Sequence, residues 1–393
     1  MYYRQPRYFG NFKCVGGSCS NSCCMMWNID WLKEEIDKVK NAPECSQELK
    51  ELCENSFKFV EERGVYSVIL NTNRECPFLT PDKFCKIQRE LGAEYLSHTC
   101  TVYPRKMVMT DSAVYRCCHM TCPEIMKKLL NDEKSMDLIN VPLKVETSIK
   151  AKKLDDEKVV AKKPERKYAA EIKEFFYEII SNKKLPLESC IILGALAAQS
   201  LTKLVSAQEY NRIPEAIKTL RAQMHNADQL KAIENIKPNY NVKLGITDKL
   251  IREYVKSGIS NSLIDEWGKP NIDIYVIAEA LLEKEFGDRP FAWRNMALNL
   301  LMELGVPFKL EEHTIFENYS VFVAAYTFIR HNALLVIGAG ASGRWSDVEG
   351  SIVSFNAILS RSLCHNEKNL KKLLGSLREF KMTSPAYLAL LVK

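Results

Sequence analysis

Long apolar runs are missing from this sequence. The longest, "CIILGALAA" from Cys190 to Ala198, is less than half of the ~20 residues that a membrane-spanning helix needs. The N-terminus, "MYYRQPRYFG", lacks the apolar stretch of a secretory leader. The expectation is a cytoplasmic protein with no transmembrane segment. Charge of one sign is scarce as well. A net charge of +6 over 393 residues permits an acidic partner but does not argue for nucleic acid. No repeat period is visible, and nothing in the pattern sets an oligomeric state.

Cysteine is nearly absent from the last two-thirds of the chain, where Cys190 and Cys364 stand alone. The other twelve lie at or before Cys122, close to one residue in ten there. Such density is typical of secreted disulfide scaffolds, but in a reducing cytoplasm it points to thiolates on metal. The length allows two or three domains with real cores, so disulfide staples are not needed.

The chain divides accordingly. Residues 1–130 form a cysteine-rich part, with turn signals such as "CVGGSCSNS" and "NTNRECPFLTPDKFC" and helical patterns in "DWLKEEIDKVKN" and "SQELKELCENSFKFVEERG". Residues 131–167 read as a charged linker. From Lys144 to Lys167 there are nine basic and five acidic residues and no aromatic, too little to bury. Residues 168–393 read as an α-helical domain. Ile172, Phe175, Phe176, Ile179 and Ile180 make one apolar stripe, and Pro186 opens a second helix. Gly287 and Gly305 follow two further helical patterns as stops. The fold class is mainly α: a cysteine-rich, metal-stapled N-terminal domain followed by helices.

Two motifs fail on inspection. Gly338, Gly340 and Gly343 spell G-x-G-x-x-G, but a dinucleotide loop needs a preceding strand and an acid about twenty residues on. Upstream, Phe322, Ala325, Tyr326 and Ile329 keep helical spacing, and Leu359–Leu363 holds no Asp or Glu. A radical-S-adenosylmethionine loop, C-x3-C-x2-C, would place its third thiol at position 26, which is Met26.

Thiolates hold iron–sulfur clusters because sulfur is soft and anionic, and several must converge. Cys14, Cys19, Cys23 and Cys24 fall within eleven residues, in a loop that Gly16 and Gly17 can bend. Cys76, Cys85, Cys100 and Cys122 are further candidates. Structural zinc favours paired C-x2-4-C knuckles, and Cys19-x3-Cys23 is the one clear example. Iron–sulfur is therefore favoured, with zinc as the alternative.

The stretches "FKCVGGSCSNSCCMMWNID", "CPFLTPDKFCKIQRELGAEYLSHTCTVYPRKM" and "CPE" resemble, in order, the flagellin lysine-N-methylases (FliB), whose cysteine-rich part is similar to the YkgJ-type metal-binding domain. Looser likeness continues in "ENYSVFVAAYTFIR" and "SRSLCHNE". The resemblance implies methyl transfer from S-adenosylmethionine to flagellin lysines, with an iron–sulfur cluster (4Fe-4S favoured) in the N-terminal part. It places the family's cysteines on Cys14, Cys19, Cys23, Cys24, Cys76, Cys85, Cys100 and Cys122. Its Trp and Asp fall on Trp27 and Asp30, and its Tyr-Pro-Arg on Tyr103, Pro104 and Arg105. Eight thiols exceed what one cube needs.

Methyl transfer from a sulfonium needs a neutral amine in line with the methyl, and a base or a desolvating site to supply it. It does not need a redox cluster, so the cluster is structural or the transfer departs from simple displacement. Asp30, His98 and Arg105 are candidates for base or carboxylate clamp, against a plain surface or supporting role. Trp27 is a candidate cofactor stack, against a place in the core. The helical half is expected to wall the lysine pocket, because loops around a metal offer little concave surface. Two other readings stand beside this one: a YkgJ-type metal-handling protein, and a zinc-stapled interaction module without catalysis.

Overall fold

The computed structural model describes residues 1–20, 22–25, 27–143, 151–255, 272–341, 347–364 and 367–393. Among them are eight strands: β1 (Tyr2–Pro6), β2 (Asp30–Trp31), β3 (Phe57–Val60), β4 (Val65–Val68), β5 (Arg105–Met109), β6 (Ala113–Cys118), β7 (Leu138–Pro142) and β8 (Lys152–Lys153). One sheet runs β7-β1-β6-β5-β8 and a smaller one β2-β4-β3. β5 and β6 form a hairpin that pairs Arg105 with Cys118, and β6 lies parallel to β1 with Tyr3 opposite Val114. Every residue of β6 is buried, so its apolar and polar residues do not alternate and the sequence hides it.

The helical pattern read across Ser46–Gly64 is half right. The first pattern forms α1 (Lys33–Lys40), and the second forms α2 (Gln47–Asn55), which stops at Asn55. Phe57–Val60 then becomes β3 and pairs with Val65–Val68 across a turn closed by Gly64 at φ 62°. Aromatic and β-branched side chains suit a pleated surface better than a helix, and a left-handed turn residue suits glycine.

The expected linker is only partly separate from the fold. Residues 144–150 lie outside the described residues. Before them, α3 (Pro123–Asn131) ends and β7 pairs along the whole of β1. After them, Lys152 and Lys153 pair with Val108 and Met109, Leu154 is buried, and the Arg166 guanidinium lies 4.1 Å from the Phe308 ring centre. Backbone pairing and cation–π contact let a charged segment pack without apolar content of its own.

Besides short helices of five or six residues, the described helices that follow are α4 (Ala169–Ser181), α5 (Leu187–Ser206), α6 (Ile213–Gln223), α7 (Ala227–Glu234), α8 (Tyr240–Val255), α9 (Ile272–Phe286), α10 (Phe291–Glu303), α11 (Ile315–Ala341), α12 (Val348–Cys364), α13 (Glu367–Glu379) and α14 (Pro385–Val392). All five residues of the α4 stripe are buried. Pro186 caps α5, and Gly305 follows α10 at φ 60°. Gly338 and Gly340 sit in α11, where a dinucleotide loop would need a strand before it; Gly343 lies outside the described residues. By length and composition Leu187–Ser206 and Ile315–Gly338 could cross a bilayer, a point that the short continuous runs conceal. Of their most apolar windows, 56% and 83% are buried inside the protein, as in core helices.

The hydrophobic core does not divide at residue 130. Tyr8, Phe9 and Phe12 share one core with α3 and the helical half, while Ile29, Trp31, Leu49, Phe78 and Ile87 form a separate small core. α10 carries the polar part of the join. Asn295, Asn299 and Glu303, spaced four apart, are all buried on one face. Asn295 donates to the carbonyls of Leu129 and Asp132 at 3.1 and 3.0 Å. Asn299 donates to Cys118 O at 3.0 Å and accepts from the Tyr8 hydroxyl at 2.5 Å. Glu303 accepts from Met120 N at 3.0 Å and meets His119 Nδ1 at 2.8 Å.

His331 of α11 gives the fold an acid-sensitive point. It is fully buried, stacked 5.8 Å from Tyr275, and its Nδ1 has no hydrogen-bond partner. Burial first, and the Lys243 ammonium second, push its imidazole down to about 3. The folded pKa lies below the unfolded value of about 6.5. The stability that neutral His331 provides is therefore complete above about pH 6.5 and is lost as pH falls toward about 3, at about 1.4 kcal/mol per unit. Urea denaturation should show the stability of the wild type, relative to His331→Phe, falling at that rate from about pH 6 to about pH 4. A constant difference across that range would contradict this.

Candidate metal centre

The cysteine loop after β1 bends back on the turn at Thr80–Phe84. Gly16 has φ 58° and lies against the Phe84 ring, and a Cβ on Gly17 would stand 2.8 Å from Asp82 O. Both glycines are thus required by the path of the chain. Cys85 caps the short helix Lys86–Leu91 and Cys122 caps α3. Cys100 lies in the short helix His98–Val102, where its N–H donates to the Ser97 hydroxyl at 3.1 Å.

These elements enclose a cavity of about 460 Å³. Seven of the eight thiols named by the resemblance line it: Cys14, Cys19, Cys23, Cys24, Cys85, Cys100 and Cys122. The eighth, Cys76, is buried behind the wall, where its N–H donates to Cys24 O at 2.7 Å. No disulfide joins any of the fourteen cysteines. Among the described residues, no three His, Cys, Asp or Glu side chains stand close enough to hold a single ion. The thiols ring a space instead.

Burial pushes the Cys100 and Cys122 thiols up to about 12; for Cys122, the amides of Ile125 and Glu124 at the start of α3 oppose the shift. Cys23 and Cys24 share a hydrogen bond that raises the first and lowers the second. Burial opposes the drop at Cys24, the Ser22 hydroxyl and the Arg361 charge assist it, and the thiol comes to about 7. Cys24 is thus the thiol nearest to ionising among those with a resolved shift in the wall.

Trp27 and Arg105 also line the cavity. The Trp27 ring N–H donates to Cys23 O, and its ring packs 5.3 Å from that of Tyr103. The Arg105 guanidinium lies 5.5 Å from the Phe12 ring centre. Asp30 and His98 are not in the cavity wall. Asp30 pairs with Arg63, and His98 is exposed, its N–H donating to Glu35 at 2.7 Å. Both sit next to cysteines in sequence, but strand β2 and the start of the short helix turn them away. The walls come from residues 12–124, so the cavity is built by the cysteine-rich part and not by the helical half. The expected lack of concave surface fails because β5, through Arg105, and the start of α3, through Pro123 and Glu124, complete the wall.

The sequence reading missed Arg361. It projects from α12 and donates to Met25 O at 2.7 Å, across 336 residues of chain. Its signal in "LSRSLC" is one cation set among residues that the core buries on either side.

Soft thiols from four separate stretches of the cysteine-rich part gather round one cavity, in a chain whose second half is helical. The FliB lysine N-methylase C-terminal domain family matches residues 173–391, more than half of the chain. The chain belongs to this family. It is 21% identical to the lysine-N-methylases of Salmonella choleraesuis (strain SC-B67) and Salmonella typhimurium (strain LT2), over 95% of this chain and 95% of each of theirs. It is 27% identical to the flagellar biosynthetic protein FliU of Salmonella muenchen, over 34% of this chain and 80% of that protein. No solved structure is significantly similar to it.

Proposed function

We propose that this protein is a cytoplasmic enzyme that transfers methyl groups from S-adenosylmethionine to lysine ε-amines of flagellin, with an iron–sulfur cluster held in the thiol-lined cavity. The likeness to lysine-N-methylases along 95% of the chain carries the reading of the activity. Seven thiols round one cavity support the reading of the cofactor.

The donor set fits a cluster better than a lone zinc ion. Zinc draws four ligands to about 2.3 Å when they are thiolates, and these thiols stand apart around a space. Cys19, Cys23, Cys24, Cys85, Cys100 and Cys122 would be drawn on first, because they are partly or fully withdrawn from solvent, unlike the exposed Cys14. When bound, such a cluster supplies a soft, redox-active centre of net negative charge. The chain's own residues do the rest. Trp27 and Tyr103 form an apolar wall that excludes water, and Arg105 offers a cation for a carboxylate. The backbone N–H groups opening α3 favour thiolate at Cys122.

The test is anaerobic incubation with S-adenosylmethionine and purified flagellin, read by intact-mass and peptide mass spectrometry. Increments of 14 daltons on lysine are expected with the full chain. Unmodified flagellin from protein with its iron intact would favour the metal-handling reading.

A further inference from the structure

The Arg361 guanidinium is a buried charge that meets no carboxylate among the described residues. Its residue is 7% exposed, Nη1 is taken by the Met25 carbonyl, and Nη2 is buried with no hydrogen-bond partner. No ion pair joins it to an acid among the described residues. Burying a cation unpaired is costly enough that proteins rarely do so without a counter-charge. Arg361 reaches the one stretch of the cysteine-rich part where thiols are densest, beside Cys23 and Cys24.

Resting on the cluster reading above, we infer that Arg361 is the counter-ion of the thiolate centre, a positioning residue by which the helical half fixes the chain at Cys23–Met25 and sets the charge balance of whatever the thiols bind. In this role it does not touch the substrate. Four or more thiolates round a cluster carry a net negative charge, which matches the uncompensated cation. The inference also explains why a residue of α12 donates to the backbone of a loop at the opposite end of the sequence. A neutral side chain could make that hydrogen bond without the cost of a buried charge.

Reduction adds negative charge to a cluster, so a nearby cation favours the reduced form. The experiment compares anaerobically reconstituted wild type, Arg361→Gln and Arg361→Lys by iron content and by the midpoint potential from a spectroscopic redox titration. Arg361→Gln keeps a donor for Met25 O and loses the charge, whereas Arg361→Lys keeps the charge. The reduction equilibrium of Arg361→Gln should move at least tenfold toward the oxidised form, which is about 59 mV for one electron. Arg361→Lys should stay within about threefold of wild type. If Arg361→Gln cannot hold iron while Arg361→Lys does, the requirement for charge is upheld. Equal iron loss in both variants, or an unmoved potential in an iron-loaded Arg361→Gln, would reduce Arg361 to a packing role. Wild-type protein that takes up no iron contradicts the cluster reading itself, before the variants are compared.

Discussion

Cys100→Ser is expected to lose most of the bound iron and to lower lysine methylation at least about a hundredfold, since partners one step removed from a metal already matter by about 10- to 100-fold. Cys100 sits in the cavity wall with its thiol held protonated by burial. Metal must displace that proton, so binding is coupled to pH, and a serine hydroxyl offers no comparable soft anion. Cys24→Ser should behave in the same way. Cys45→Ser and Cys190→Ser should keep their iron, because Cys45 packs in the small core and Cys190 in α5 beside Arg294. Iron and acid-labile sulfide per chain, with methylation by mass spectrometry, check this. Similar losses in both sets would show that the cavity thiols are not special.

Glu303→Leu is expected to cost about 2–4 kcal/mol of stability, on the scale of hydrogen bonds to a buried charged group at about 1.5–3 kcal/mol each. Glu303 is buried on α10 and meets both Met120 N and His119 Nδ1. Leucine fills the volume but leaves that N–H without a partner in a dry environment. The Lys106 ammonium, which donates to the Glu303 carbonyl, stays beside it. The damage falls on the Cys118–Cys122 stretch, so iron retention should fall together with the urea midpoint. A loss below about 1 kcal/mol would mean that water or a neighbour replaces the carboxylate readily.

The sequence made the helices and thiols legible for different reasons. The α4 stripe shows because its burial is one-sided, so period and structure coincide. The thiols show because residue type carries the chemistry whatever the fold. What stayed hidden depends on tertiary placement. β6 is buried on both faces and shows no alternation, and β8 is two lysines that join the sheet through backbone pairing and meet Glu311 and Asp111 through their side chains. Cys76 looks like its seven companions in sequence, and only the packing of Phe78 and Cys24 around it sets it behind the wall. Asp30 and His98 were drawn in by nearness along the chain, which a strand and a helix start undo. Arg361, Asn295, Asn299 and Glu303 are polar residues in apolar helices. Their partners lie more than 150 residues away, beyond the reach of any local pattern.

The most direct measurement is elemental analysis with absorption spectroscopy on wild-type protein purified without oxygen. A cluster in the thiol-lined cavity predicts brown protein, broad charge-transfer absorption and about four irons per chain with matching sulfide. Stoichiometric zinc with no iron, in colourless protein that still folds, would contradict it.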